Sequence, residues 1–235
     1  MDKVKFGIIG CSKIAAKSTI PAIKNSDFAE LAMIGSSSFE KAKEFGERFN
    51  CSNIGSYQEV LDNNEIDAVY ISLPIGLHEE WALKAAKAGK QILCEKSSTT
   101  SYDSALQMIK TCKENNVRIM ESFMFRFHPR HQRIRGLIQN NQLGNLFAFH
   151  GSYGFPPVSY DDIRYNAALG GGVLNETGCY PICASRIIFN ESPIGVLCNL
   201  DIDKKMNVDI KGHTYISYQN KKAALISFSF ESYYT

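Results

Sequence analysis

A chain of 235 residues has room for one large domain or two small ones with a sizeable core. A net charge of +2 with 21% charged residues argues against nucleic acid or a membrane surface as partner, and 44% hydrophobic content is ordinary for a globular protein. No apolar run reaches the roughly 20 residues of a membrane helix, no signal core stands at the start, and seven scattered cysteines lack CxxC or zinc spacing, so free thiols in a reducing cytoplasm and no metal are expected.

Lys3–Gly10 (KVKFGIIG) is a short apolar run ending in glycine and predicts a buried first strand. Ser12 to about Asn25 follows as a helix that Pro21 interrupts or kinks. Glu30–Ser37 predicts a second strand, and Phe39–Asn50 a helix with Ala42, Phe45, Gly46 and Phe49 on one face. Ser56–Asn63 is a short helix and Asp67–Leu73 a strand. Leu77, Trp81, Ala85 and Ala88 mark a helix closed by Gly89. Lys90–Glu95 is a strand, Ser101–Asn116 a helix with Ala105, Met108, Ile109 and Cys112 on one face, and Val117–Ser122 a strand. Such alternation predicts an α/β fold with a doubly wound parallel sheet.

The texture changes after Phe123. Pro129–Asn141 predicts a helix, Leu146–Tyr153 a strand, and Glu176–Phe189 a helix after the glycine-rich Gly170-Gly-Gly172. Strands are expected at Ile194–Ile202, Thr214–Tyr218 and Ala223–Glu231, the last two forming a hairpin across Gln219–Lys222. The expected organisation is a dinucleotide-binding domain over residues 1–122 and an α+β domain with an open, mostly antiparallel sheet over 123–235.

Candidate site residues gather at strand ends. Gly7-Ile-Ile-Gly10-Cys-Ser12-Lys13-Ile14-Ala15 approximates the G-x-G-x-x-G/A turn of dinucleotide folds. Gly10 and Ala15 fit the first and third positions, and Ser12 takes the second; strand–turn–helix packing alone is the bland alternative. An acidic residue ending the second strand would bind ribose hydroxyls and select NAD. Here Ser36, Ser37 and Lys41 stand there instead, with no carboxylate before Glu40. That set can accept a 2′-phosphate, so NADP is favoured over NAD; equally, the serines can cap the following helix.

Leu73, Pro74 and His78 follow the next strand, where a loop would run under the nicotinamide, with His78 as a cofactor contact or a helix cap. Glu95 and Lys96 end the strand after that, facing the crevice where open sheets place ligands. Past Ser122, Arg126 and His128 are candidates for substrate hydroxyls or phosphates. His128 and His131 do not form a helical metal pair, because Pro129 lies between them. Glu176 and Tyr180 supply a carboxylate and a phenol beside the glycine-rich turn.

GIIGCSKIA, LHEEWALKAAKAGKQILCEK, MESFMFRFHP and GGGVLNETGCYPI together resemble the Gfo/Idh/MocA family, from residue 7 to 181. The similarity leans toward the branch of NADP-dependent pyranose dehydrogenases, dimeric dihydrodiol dehydrogenase and nucleotide-sugar ketoreductases. It implies a Rossmann domain, a C-terminal open sheet that often assembles into oligomers, and a sugar, nucleotide sugar or cyclic polyol as substrate. It also implies that Lys96 is the lysine of the family's EKP motif, contacting substrate and cofactor. Tyr180 falls where the family has its catalytic Tyr or His, and Glu176 where an Asp helps hold substrate. Ser97 replaces the motif's proline. The stretch FSFESYYT ends at Thr235 in what reads as a strand, where family members run on, so an early-ended copy or a fragment is expected.

The resulting expectation is an oxidoreductase in which Tyr180 exchanges the hydroxyl proton, with Lys96 lowering its pKa from about 10. A catalytically inactive dinucleotide-binding protein is the alternative. Without GxSxG, P-loop or carboxylate cluster, a hydrolase has no support.

Overall fold

In the computed structural model, which describes residues 2–232, the chain divides into two compact units, Met1–Ser122 and Phe123–Thr235. The first carries β1 (Val4–Ile9), β2 (Ala29–Gly35), β3 (Ile54–Gly55), β4 (Ala68–Ile71), β5 (Gln91–Cys94) and β6 (Ile119–Glu121). All pair in parallel, in the order β3-β2-β1-β4-β5-β6. Chain order therefore reverses between β1 and β4, the arrangement that opens a ligand crevice beyond the carboxyl ends of those strands. Every residue of β4 is buried, as a strand flanked on both sides and covered on both faces must be.

The helices are α1 (Ile20–Lys24), α2 (Phe39–Phe49), α3 (Tyr57–Asp62), α4 (His78–Lys87) and α5 (Tyr102–Glu114). Serines start three of them: Ser38, Ser56 and Ser101 each accept a hydrogen bond from a first-turn amide. Ser56 and Glu59 form a reciprocal capping box.

Three features depart from the pattern read in the sequence. Pro21 ends no helix, because a widened turn over Ala15–Thr19 precedes it, with the Ile20 N–H bonded back to the Ala15 carbonyl. That turn takes up the missing proton and the bulk of the proline ring. The two-residue β3 was not expected. On α5 the buried stripe is Ser104, Met108, Thr111 and Cys112, while Ile109 is 44% exposed. The helix turns its small hydroxyl residues inward, where they allow close approach.

The second unit carries α6 (Pro129–Gln139), β7 (Ala148–Gly154), α7 (Cys179–Phe189), β8 (Gly195–Asp203), β9 (Val208–Ser217) and β10 (Ala223–Ser229). Its sheet has the order β7-β10-β9-β8. β8–β9 and β9–β10 are antiparallel, and β7–β10 is parallel. β9 begins six residues earlier than expected, running through Gly212; side chains of Leu200 and Phe228 fill the space where a Cβ would lie, at 2.7 Å. Tyr165, Val173, Phe189, Ile216, Tyr218, Ile226 and Phe228 form the core. β10 ends at Ser229, short of Glu231, and the last residues of FSFESYYT, 233–235, lie outside the described residues. Among the described residues, no helix is long and apolar enough to cross a membrane.

Replacing Ser56 by Ala removes the hydroxyl half of the capping box. We expect a loss of about 1 kcal/mol, read as a lowered urea midpoint with unchanged slope.

Candidate active site

The turn after β1 is built around Gly10, whose φ is +107°. A Cβ there would lie 2.8 Å from Leu73 Cδ2 and 3.1 Å from the Ser72 carbonyl oxygen. The close approach is tied on both sides. The Gly10 N–H donates to the Gly35 carbonyl at 3.1 Å, and Ser72 Oγ donates to the Gly10 carbonyl at 2.8 Å. The helix following this turn starts at Lys13, and Ser12 Oγ accepts the Ala15 N–H at 3.0 Å. Ser12 therefore caps this helix with the side chain that a second glycine would lack. Lys13 is exposed and Ile14 half-buried.

At the end of β2 the serines divide their work. Ser38 caps α2. Ser36 is buried, accepting the Ser38 N–H at 3.2 Å. Ser37 and Lys41 are exposed. The Cys11 thiol lies between these segments, 3.7 Å from the Lys41 carbonyl oxygen, and burial pushes its pKa up.

Leu73 and Pro74 form the half-buried turn after β4. His78 is fully buried, as the first residue of α4 rather than its cap. Its Nε2 is 2.8 Å from the Leu73 carbonyl oxygen and its Nδ1 2.9 Å from that of Ser97. Burial lowers its pKa, and the two carbonyls act against that.

Glu95 is 7% exposed, beneath the turn that carries Lys96. It accepts the Tyr70 hydroxyl at 2.6 Å and the Lys96 N–H at 3.3 Å. Burial, then the Glu95 charge, drives the Tyr70 pKa far up, so the phenol stays a donor. Lys96 is half-buried, and its peptide bond to Ser97 is cis.

In the second unit, Arg126 lies exposed on the short helical turn Met124–Phe127. His128 is also exposed and caps α6, its Nδ1 accepting the Arg130 N–H at 3.2 Å. Glu176 lies in a widened turn, Leu174–Gly178, that runs directly into α7. Arg164 Nε is 3.7 Å from its carboxylate, and the same guanidinium grips Asp162 at 2.9 Å. The Leu174 N–H donates to Asp209 at 2.6 Å, anchoring the start of that turn to β9.

Tyr180, in the first turn of α7, is collared by aromatic rings. Phe123 and Tyr153 meet it edge to face at 5.6 and 5.3 Å, and Phe125 lies tilted at 5.9 Å. Among the described residues no group of three or more His, Cys, Asp or Glu is placed to hold a metal. Sequence reasoning missed Tyr70, Arg164, Asp162, Asp209 and Tyr153. Tyr70 alone left a signal, as the one phenol in an otherwise apolar strand.

Residues 4–123 match an oxidoreductase family with an NAD-binding Rossmann fold, and residues 131–235 match the GFO/IDH/MocA C-terminal domain. The chain belongs to the Gfo/Idh/MocA oxidoreductases. This Gfo/Idh/MocA chain is 33% identical over 234 residues to dTDP-3,4-didehydro-2,6-dideoxy-alpha-D-glucose 3-reductase of Actinomadura kijaniata, covering 100% of the chain and 70% of that protein. To D-xylose 1-dehydrogenase (NADP(+)) 2 of Haloferax volcanii it is 34% identical, covering 97% of the chain and 70% of the relative. A crystal structure of a 3-ketoreductase from Actinomadura kijaniata in complex with NADP and TDP-benzene superposes with a TM-score of 0.93 at 32% identity. The match covers 100% of this chain and 72% of that one.

The crowding at Gly10 has a control within the same unit. Gly89 also has positive φ, +74°, but a Cβ there would meet nothing within 4 Å. We expect Gly89→Ala to cost about 1–2 kcal/mol for the left-handed backbone alone, and Gly10→Ala to cost more in urea unfolding.

Proposed function

We propose that this oxidoreductase uses NADP(H) to interconvert a hydroxyl and a keto group on a sugar, nucleotide sugar or related cyclic polyol. The observation that carries the reading is the Gly10 turn at the β1–β4 switch point, where the backbone packs so closely that only glycine fits. Such a turn brings main-chain amides and a helix start to a pyrophosphate. Gly10, Ser12, Lys13 and Ile14 would hold that group, and Leu73, Pro74, His78, Glu95 and Lys96 would shape the floor for the nicotinamide.

The cofactor fits the far end of the crevice as well. Exposed Ser37 and Lys41 follow β2, with Ser36 bracing the turn, and Glu40 is turned to the Ser38 hydroxyl at 2.8 Å. A cation beside an exposed hydroxyl suits a 2′-phosphate. The NADP named for the Actinomadura and Haloferax relatives supports the same choice.

Bound there, the nicotinamide supplies or takes up the hydride. Tyr180 is assigned the proton: it donates to the developing alkoxide in reduction and accepts from the hydroxyl in oxidation. Lys96 is assigned the charge that stabilises the alkoxide and favours the ionised phenol. Glu176, with the Arg164 guanidinium beside it, would accept substrate hydroxyls, and Arg126 and His128 would contact outlying hydroxyls or phosphates. The substrates in the relatives' names, a dTDP-linked keto sugar and xylose, support a pyranose-sized polyol.

We further place the protein in the cytoplasm, on seven cysteines that form no disulfide with one another. We also assign self-assembly to the outer face of the β7–β10 sheet. There Leu197, Tyr215 and Leu225 lie in one cross-strand row, 75%, 47% and 43% exposed. No observation favours an inert dinucleotide binder.

Fluorescence titration of the nicotinamide tests the cofactor: NADPH binds more tightly than NADH, and Lys41→Ala narrows the difference. Equal affinities in the unmodified chain would remove the 2′-phosphate assignment. In a panel of pyranoses and keto sugars, Tyr180→Phe lowers kcat by roughly 10²–10⁴-fold and leaves NADPH affinity unchanged. Near-full turnover by that variant would remove Tyr180 from the chemistry.

A further inference from the structure

The Glu95–Ser98 turn is held from beneath by side chains to which hydride and proton transfer give no direct part. His78, fully buried, faces the carbonyl oxygens of Leu73 and Ser97 at 2.8 and 2.9 Å. A carbonyl oxygen only accepts, and a neutral imidazole has one N–H. The ring therefore donates to one of these oxygens when neutral and to both when protonated. In either state it stands between the turn after β4 and the residue next to Lys96.

A second support comes from Tyr70, 0% exposed in the middle of the sheet. Its hydroxyl donates to Glu95 Oε1 at 2.6 Å, while Glu95 Oε2 accepts the Lys96 N–H at 3.3 Å. One residue further on, the Ser98 N–H donates to Glu121 Oε1 at 2.8 Å. Lys96 thus lies between a carboxylate fixed by a phenol and a carbonyl facing a buried ring. A lysine side chain is long and flexible, and the way its backbone is held sets the point from which its ammonium reaches.

We propose that His78 and Tyr70 are positioning residues for Lys96, His78 acting through the Ser97 carbonyl and Tyr70 through the Glu95 carboxylate. This rests on the assignment of Lys96 to the reaction. It also gives the two buried polar side chains a purpose beyond stability, because both act on the same short turn from opposite sides of Lys96.

The test uses the whole chain with Tyr70→Phe, which keeps the ring, and His78→Gln, with Lys96→Met as reference. One readout needs no substrate: lysines are acylated competitively with an amine-reactive reagent, and their labelling is compared by mass spectrometry. In both variants we expect Lys96 labelling to change several-fold against exposed Lys3 and Lys204. The second readout is turnover, where kcat falls about 10- to 100-fold, the scale of a misplaced reacting group, while in Tyr70→Phe NADPH affinity holds. Unchanged Lys96 labelling in a folded Tyr70→Phe protein overturns the proposal, even if His78→Gln fails to fold. Full turnover by Lys96→Met would instead remove the role of Lys96 in the reaction, and the labelling result would still decide whether the two residues position it.

Discussion

The ends of β1 and β4 approach each other as closely as they do because position 10 has no side chain. Its backbone takes a φ of +107°, a region open to glycine at little cost, and Leu73 lies where a Cβ would project. Ser72 completes the join, donating its hydroxyl to the Gly10 carbonyl. From this join the rest of the crevice follows. The helix begins at Lys13, and the Leu73 carbonyl is left in place to be met by His78. A side chain at position 10 would disturb every one of these contacts together.

Burying Glu95 and His78 below the strand ends carries a cost, since each is removed from water. The structure offsets it with hydrogen bonds to specific atoms. A donor to an ionised carboxylate contributes about 1.5–3 kcal/mol, and Glu95 receives two, from Tyr70 and from the Lys96 amide. Apolar side chains of similar size would pack at least as stably. The polar pair differs in that it fixes directions, and that difference matters at a turn carrying a long flexible lysine.

Much of the first unit was legible because its punctuation is local. Gly10 and Gly89 close elements, and Ser38, Ser56 and Ser101 open helices within a residue or so of where their spacing placed them. The mixed second sheet agrees with the expected open, mostly antiparallel one, and the family resemblance carried by the strand-end motifs holds. What escaped depends on partners distant in the chain. The face of α5 could not be read from Ile109 against Ser104, because the sheet beneath decides which one it accepts. The early start of β9 was hidden by Gly212, which looks like a break until Leu200 and Phe228 close over it. Nothing local announces that Tyr70 meets Glu95 or that Arg164 meets Glu176. In the serine cluster after β2, only the fold separates Ser38, the cap, from Ser37, which stays exposed.

The two units hold their candidate groups by different physics. Around Lys96 the restraint is polar and acts on the backbone, through carbonyl and carboxylate oxygens with defined donors. Around Tyr180 it is aromatic and acts on the ring itself, through edge-to-face contacts with Phe123 and Tyr153. Such pairs contribute about 0.5–1.5 kcal/mol each beyond burial and fix the plane of the ring. The aromatic restraint fixes the plane of a ring, and the polar one fixes the course of a turn. The sequence encodes the first with a Phe-rich stretch ahead of α6 and the second with one phenol and one imidazole buried beneath a turn.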